Sequence, residues 1–161
     1  MLVLMGRGPQ GSGMEETYQL TSALRYLDFG KHVALITDAR FSGVSTGACI
    51  GHIGPEALAD GPIGRVQEGD TIRIEVDTVN LTGRLDLIGH DGRTYSPEEG
   101  AAVLAARTVH SEIAGDPRLP DDTRLWAALQ AVSGGTWGGC VYDVDRILEV
   151  LDAGQKALAG N

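Results

Sequence analysis

The chain has 161 residues, 42% hydrophobic and 22% charged, the make-up of one soluble globular domain large enough for a real core. Thirteen basic against 22 acidic residues give a net charge of −9, so no basic stripe is available to neutralise phosphates, which argues against nucleic-acid or anionic-membrane binding. No apolar run approaches the ~20 residues that span a bilayer, Met1–Met5 lacks the basic start of a signal peptide, and Cys49 and Cys140 match no metal or disulfide spacing. A cytoplasmic protein with two free thiols is the expectation.

The apolar run Leu2-Val3-Leu4-Met5 reads as a strand with no lead-in, as in one domain of something longer. A glycine-rich stretch follows, from Gly6 to Gly13. Ser12-Gly13-Met14-Glu15 has the form of a capping box, which predicts a helix to about Asp28 with Leu20, Leu24 and Leu27 as its apolar stripe and Gly30 as its stop. Val33–Ile36 is a second buried strand, ending in Thr37-Asp38-Ala39-Arg40-Phe41-Ser42-Gly43. A right-handed crossover would make the two strands parallel and bring both loops to one edge of the sheet, where α/β domains gather their chemistry.

The stretch from Val44 to Ala57 is too rich in glycine for a stable helix and is read as a short buried segment over 48–53, then a turn at Pro55. Thr71–Asp77 alternates apolar with polar, Leu81–Ile88 continues the alternation as an antiparallel neighbour, and Asp91-Gly92 is a turn. Ser96-Pro97-Glu98-Glu99 starts a helix that runs to about Arg107. Asp121 or Asp122 caps another, with Leu125, Trp126, Leu129 and Val132 on one face and Gly134-Gly135 as its stop. Asp143 caps a last helix striped by Val144, Ile147, Leu148 and Leu151. The expectation is a single α/β domain over 1–161, with a β-rich core over 1–94 and a helical extension over 95–161. A doubly wound sheet would keep alternating strand and helix, and this chain does not.

Several residues could carry chemistry. Gly6-x-Gly8-x-x-Gly11 matches the dinucleotide fingerprint, with Asp38 as the ribose acid. Pro9 stiffens that turn, Asp38 lies 27 residues past Gly11, and the antiparallel pairing that follows leaves no second mononucleotide half. Glu15 and Glu16 on a helical first turn would point about 100° apart, so that one can cap while the other faces a site. Ser42 has no Gly-x-Ser-x-Gly elbow; His52 could serve it as a base or be a partly buried, hydrogen-bonded histidine.

Gly8-Pro9-Gln10-Gly11-x-Gly13-Met14-x-Glu16, then Ala34–Gly43, then Gly51-His52-Ile53-Gly54-Pro55-Glu56-Ala57 and Gly61-Pro62-Ile63 resemble the carboxyl-terminal domain of the dihydroxy-acid and sugar-acid dehydratases. Arg7–Gly13 and the tail Leu119–Trp126 with Gly134-Gly135-Thr136-Trp137 resemble the D-xylonate dehydratase branch. The resemblance implies a swivelling β/β/α, barrel-like fold of mixed parallel and antiparallel strands with flanking helices. It implies removal of water from a 2,3-dihydroxy sugar acid to give a 2-keto-3-deoxy acid, with Mg²⁺ and an iron–sulfur cluster as cofactors. It puts the base on Ser42, a Mg²⁺ ligand on Glu16, and substrate contacts on Ser12, Gly13, Arg40, Gly43 and His52. Two cysteines fall short of the about four that hold a cluster. The resemblance therefore places the cluster ligands outside this chain, in an amino-terminal domain of the same protein, with the full enzyme a homo-oligomer. Two alternatives stand beside it: a small swivelling subunit of an aconitase-like hydratase, and a nucleotide-binding module.

Overall fold

The computed structural model describes residues 1–160, which divide into two compact units: 1–64 with 111 onward, and 65–110. The first unit is built on a parallel sheet of β1 (Leu2–Leu4), β2 (Leu35–Thr37) and β3 (Cys49–Ile50), with β2 in the middle. Leu2 pairs with Leu35 and Leu4 with Thr37, so the strands run in register and their carboxyl ends share one edge. β2 is buried along its length, as a central strand covered on both faces must be.

The connection between β1 and β2 differs from the capping-box expectation. Pro9 opens a four-residue helix, α1 (Pro9–Ser12), so Ser12 lies in its last turn rather than at the start of a longer one. Gly13 (φ 71°) and Met14 (φ 58°) then both turn left-handed, which ends the helix. The next helix, α2, spans only Tyr18–Leu24. It buries Thr21, while Leu20 and Leu27 of the expected stripe are exposed.

The second unit is an antiparallel sheet of β4 (Asp70–Asp77), β5 (Thr82–His90) and β6 (Arg93–Thr94) with the helix α3 (Pro97–Ala106) packed on β5. Asp91 (φ 46°) and Gly92 (φ 82°) form the two-residue turn between β5 and β6, the left-handed pair that suits strand twist. Ser96 and Glu99 close a full capping box on α3. Gly100 is pressed so closely on β5 that a Cβ there would overlap the Leu87 carbonyl.

Past residue 110 the chain rejoins the first unit and forms α4 (Asp121–Val132) and α5 (Val144–Ala159). Pro120 takes the cap position of α4, which moves Asp121 and Asp122 into the first turn, where the helix dipole favours them. Asp143 does cap α5 by accepting from the Arg146 N–H. The apolar stripe of α5 stays exposed, Val144, Leu148 and Leu151 included. Mixed parallel and antiparallel strands with helices are thus as expected, but among the described residues the strands form two three-stranded sheets and neither closes into a barrel.

Asp70 holds the second unit together. Its carboxylate accepts two bonds from the Arg107 guanidinium (2.6 and 2.8 Å), one from the Gln67 N–H (2.8 Å), and pairs with His90 Nδ1 (2.8 Å). Burial pulls the Asp70 carboxyl upward, but the bonds from Arg107, Gln67 and His90 outweigh it and hold the group below the usual carboxylate range. A depressed folded value contributes stability that is present above the unfolded value of about 3.9 and is lost as pH falls below it. In urea titrations we expect the parent to lose more stability between about pH 4 and 2 than Asp70→Asn does. Arg107→Met, which leaves this buried carboxylate short of its main partner, should cost about 3 kcal/mol at neutral pH.

Candidate functional site

The parallel register brings three loops to the carboxyl edge of the first sheet: 5–13 after β1, 38–45 after β2 and 51–56 after β3. Two buried carboxylates organise them. Asp38 Oδ2 accepts from the N–H groups of Gly6 and Ala57, both at 3.0 Å, and Oδ1 from that of Arg7 at 2.9 Å. One side chain on the second loop therefore fixes the start of the first loop and the end of the third. Glu56, also buried, takes the Gln10 N–H with both oxygens, at 3.0 and 3.1 Å. Burial raises the Glu56 carboxyl, and the nearby Asp38 charge adds to this, against the lowering by the N–H groups of Gln10 and Gly11.

This arrangement overturns the dinucleotide reading of Gly6-x-Gly8-x-x-Gly11. A pyrophosphate needs the loop's N–H groups free, and here those of Gly6, Arg7 and Gln10 already point at Asp38 and Glu56. Asp38 is fully buried and unavailable to a ribose. The glycines serve close approach of protein to protein: a Cβ on Gly11 would overlap the Gly6 carbonyl, and one on Gly8 the Glu56 side chain.

The expected site residues fall into two groups. Arg40 and Gly13 line an open cleft of about 380 Å³ together with Met14, Asp122, Thr123 and Trp126. Arg40 Nε donates to the Met14 carbonyl at 3.0 Å, and Gly13 meets α4 so closely that a Cβ there would overlap the Thr123 methyl. Ser42, Gly43, His52, Ser12 and Glu16 do not line this cleft. Ser42 is half-buried, and its Oγ accepts the Val44 N–H at 3.3 Å. Gly43 is exposed, its φ is not positive, and a Cβ there would meet nothing within 4 Å. His52 is exposed with φ 57° and is held through its backbone, its N–H donating to the Ala39 carbonyl at 2.8 Å; the expected partly buried ring is not found. Ser12 Oγ donates to the Arg7 carbonyl at 3.1 Å.

Glu15 and Glu16 lie in an extended segment rather than a helical turn. Glu16 forms a parallel bridge with Arg40, and the next residue, Thr17, donates both its N–H and its hydroxyl to the Arg40 carbonyl at 3.1 Å. Glu15 pairs with Arg7, whereas the Glu16 carboxylate has no protein partner among the described residues. No group of three or more His, Cys, Asp or Glu converges as a metal site among the described residues. Cys140 Sγ lies 3.9 Å from Met14 Sδ, Cys49 Sγ donates to the Thr46 carbonyl, and burial raises both thiols, an unsuitable state for thiolate ligands.

Sequence reasoning gave no place in a site to Glu56, Asp122, Thr123 or Trp126. Glu56 stood in plain view in Gly-Pro-Glu-Ala, but partnership with a loop 46 residues away leaves no local pattern. For α4, the capped start with an apolar face signalled a helix and nothing of the cleft.

We expect Asp38→Asn to lower stability by about 3 kcal/mol in denaturant titrations, because an amide oxygen cannot accept all three N–H groups and its NH₂ would face one of them. For Glu56 the sign is opposite. Its raised folded value means that stability present below the unfolded value of about 4.3 is lost as pH rises. Glu56→Gln should therefore gain on the parent between about pH 4 and 7.

Comparison with known proteins identifies the family. Residues 1–115 match the family described as dihydroxy-acid/6-phosphogluconate dehydratase, C-terminal. The chain is 61% identical to D-xylonate dehydratase YagF of Escherichia coli over 158 residues, 98% of this chain and 24% of that protein. It is 62% identical to D-xylonate dehydratase YjhG of the same organism over 149 residues, 91% and 23% of the two. With the dihydroxy-acid dehydratase of Clavibacter michiganensis it shares 38% over 120 residues, 74% and 21%. The chain thus spans about a quarter of the length of the curated relatives it matches. It belongs to the dihydroxy-acid/6-phosphogluconate dehydratase family and corresponds to that family's carboxyl-terminal domain.

Proposed function

We propose that the chain is the carboxyl-terminal domain of a cytoplasmic, homo-oligomeric dehydratase acting on a D-xylonate-like sugar acid. The higher identity to the two D-xylonate dehydratases than to the Clavibacter enzyme supports that substrate class. One structural observation carries the reading. The Glu16–Arg40 bridge sets the segment bearing Glu16 alongside the loop bearing Ser42, so that two motifs remote in sequence meet on one sheet edge.

In this reading Ser42 Oγ takes the C2 proton, the C3–O bond breaks, and the resulting enol tautomerises to the 2-keto-3-deoxy acid. A serine hydroxyl is a weak base, and the Val44 N–H on its oxygen favours the alkoxide. Glu16, half-buried and without a protein partner, suits a single Mg²⁺ ligand, since Mg²⁺ commonly binds through one or two carboxylates plus substrate and water. When bound, Mg²⁺ and an iron–sulfur cluster supply Lewis acidity for the substrate carboxylate and the departing hydroxide. Cys49 and Cys140 do not fit a cluster, so its ligands belong to an amino-terminal domain of the full-length protein. Arg40 and Gly13 serve the substrate from the cleft, with Ser12, Gly43 and His52 as further contacts. The two sheets are, in this proposal, parts of the swivelling β/β/α barrel-like fold.

In the full-length enzyme we expect Ser42→Ala to cut kcat by at least ~10²-fold with little change in substrate affinity. Near-parental kcat in Ser42→Ala would make this loop a structural turn. Glu16→Gln should raise the Mg²⁺ concentration needed for half-maximal activity far more than Glu15→Gln, whose exposed pair with Arg7 is worth at most about 1 kcal/mol. Equal effects at the two positions would remove Glu16 as a ligand.

A further inference from the structure

We propose that Asp122 and Trp126, on α4, form a subsite that reads the hydroxyl-bearing tail of an open-chain sugar acid. This proposal rests on the dehydratase reading above.

The cleft holds two opposite charges that do not neutralise each other. Arg40 uses only Nε, on the Met14 carbonyl, which leaves both Nη groups without a protein partner among the described residues. Asp122 uses only Oδ1, which accepts the N–H of Thr123 at 2.7 Å and its hydroxyl at 3.3 Å; Oδ2 accepts nothing from the protein. No ion pair joins Arg40 to Asp122, although both line the same cleft. A free guanidinium fork calls for a carboxylate, and a free carboxylate oxygen calls for hydroxyl donors. A small polyhydroxy acid carries both, one at each end. Trp126, half-buried in the same lining, supplies an apolar wall for the C–H edges of such a chain. A volume of about 380 Å³ and this mix of one aromatic and a few polar groups are those of a small-ligand pocket.

The position of α4 in the sequence points the same way. The family match ends at residue 115, before α4 begins. The alignment with D-xylonate dehydratase YagF covers 98% of the chain and so takes α4 in. The helix that lines one side of the cleft is thus outside what the family match requires and inside what the sugar-acid relative shares.

The test uses the full-length enzyme with Asp122→Ala and Trp126→Leu. Substrates are D-xylonate and a 2,3-dihydroxy acid with an alkyl tail, 2,3-dihydroxy-3-methylbutanoate. Each variant should lose at least about tenfold in kcat/KM for D-xylonate, mainly through KM, the scale of a lost hydrogen bond or apolar wall. With the alkyl-tailed acid the Asp122→Ala loss should stay below about twofold, because that acid carries nothing for Asp122 to accept from, whereas Trp126→Leu, which removes an apolar wall, should weaken both acids. Equal losses with both acids in Asp122→Ala, or no loss of D-xylonate turnover in either variant, would overturn the proposal. If the parent dehydrates neither acid, the dehydratase reading fails by itself. Calorimetric titration of D-xylonate then decides the subsite: binding at least about tenfold weaker in both variants upholds it, and absent or unchanged binding overturns it.

Discussion

A single buried carboxylate decides the shape of the sheet edge. Asp38 sits at the end of the central strand and accepts three N–H groups from two other loops. A buried charge is tolerable only when satisfied in this way, so the three loops and the charge depend on one another. Glu56 repeats the device one step along the glycine loop, and its proton affinity is raised by burial first and by the nearby Asp38 carboxylate second. The same glycine pattern that elsewhere cradles a phosphate is here filled from within the protein.

Much of this was legible in the sequence, and the failures share a cause. The strands Leu2–Leu4 and Leu35–Thr37, the 70–90 hairpin, the Ser96 capping box and the Asp143 cap all rest on local patterns, and they hold. The Ser12 capping box failed because Pro9 starts a helix earlier and Gly13 and Met14 both turn left-handed; a four-residue pattern carries no information on which competing signal wins. The expectation that Leu20 and Leu27 face the core failed because amphipathic spacing says which residues share a face, not what that face meets. Glu16 still faces differently from Glu15, but through alternation in an extended segment rather than helical rotation.

Among the residues that line the cleft, the sequence named two on the loops and missed those on the helix. Arg40 and Gly13 could be singled out from their motifs, whereas Asp122 and Trp126 reach the same cleft only through the packing of α1 against α4. The dinucleotide fingerprint misled for a related reason. Spacing identifies glycines that permit close approach, and it does not say whether a ligand or a carboxylate makes that approach.

The two walls of the cleft differ in how freely they can change. On one side Gly13 has neither the φ nor the room for a side chain, and the nearby loop is tied to Asp38 and Glu56, so substitutions there reach the fold itself. On the other side Asp122 is exposed in the first turn of a regular helix, and its only protein bonds are to its neighbour Thr123. If the cleft holds the proposed subsite, drift in ligand preference runs along α4 at little cost in stability, while the glycine wall stays fixed. A lineage of such domains would diversify from the helix side inward.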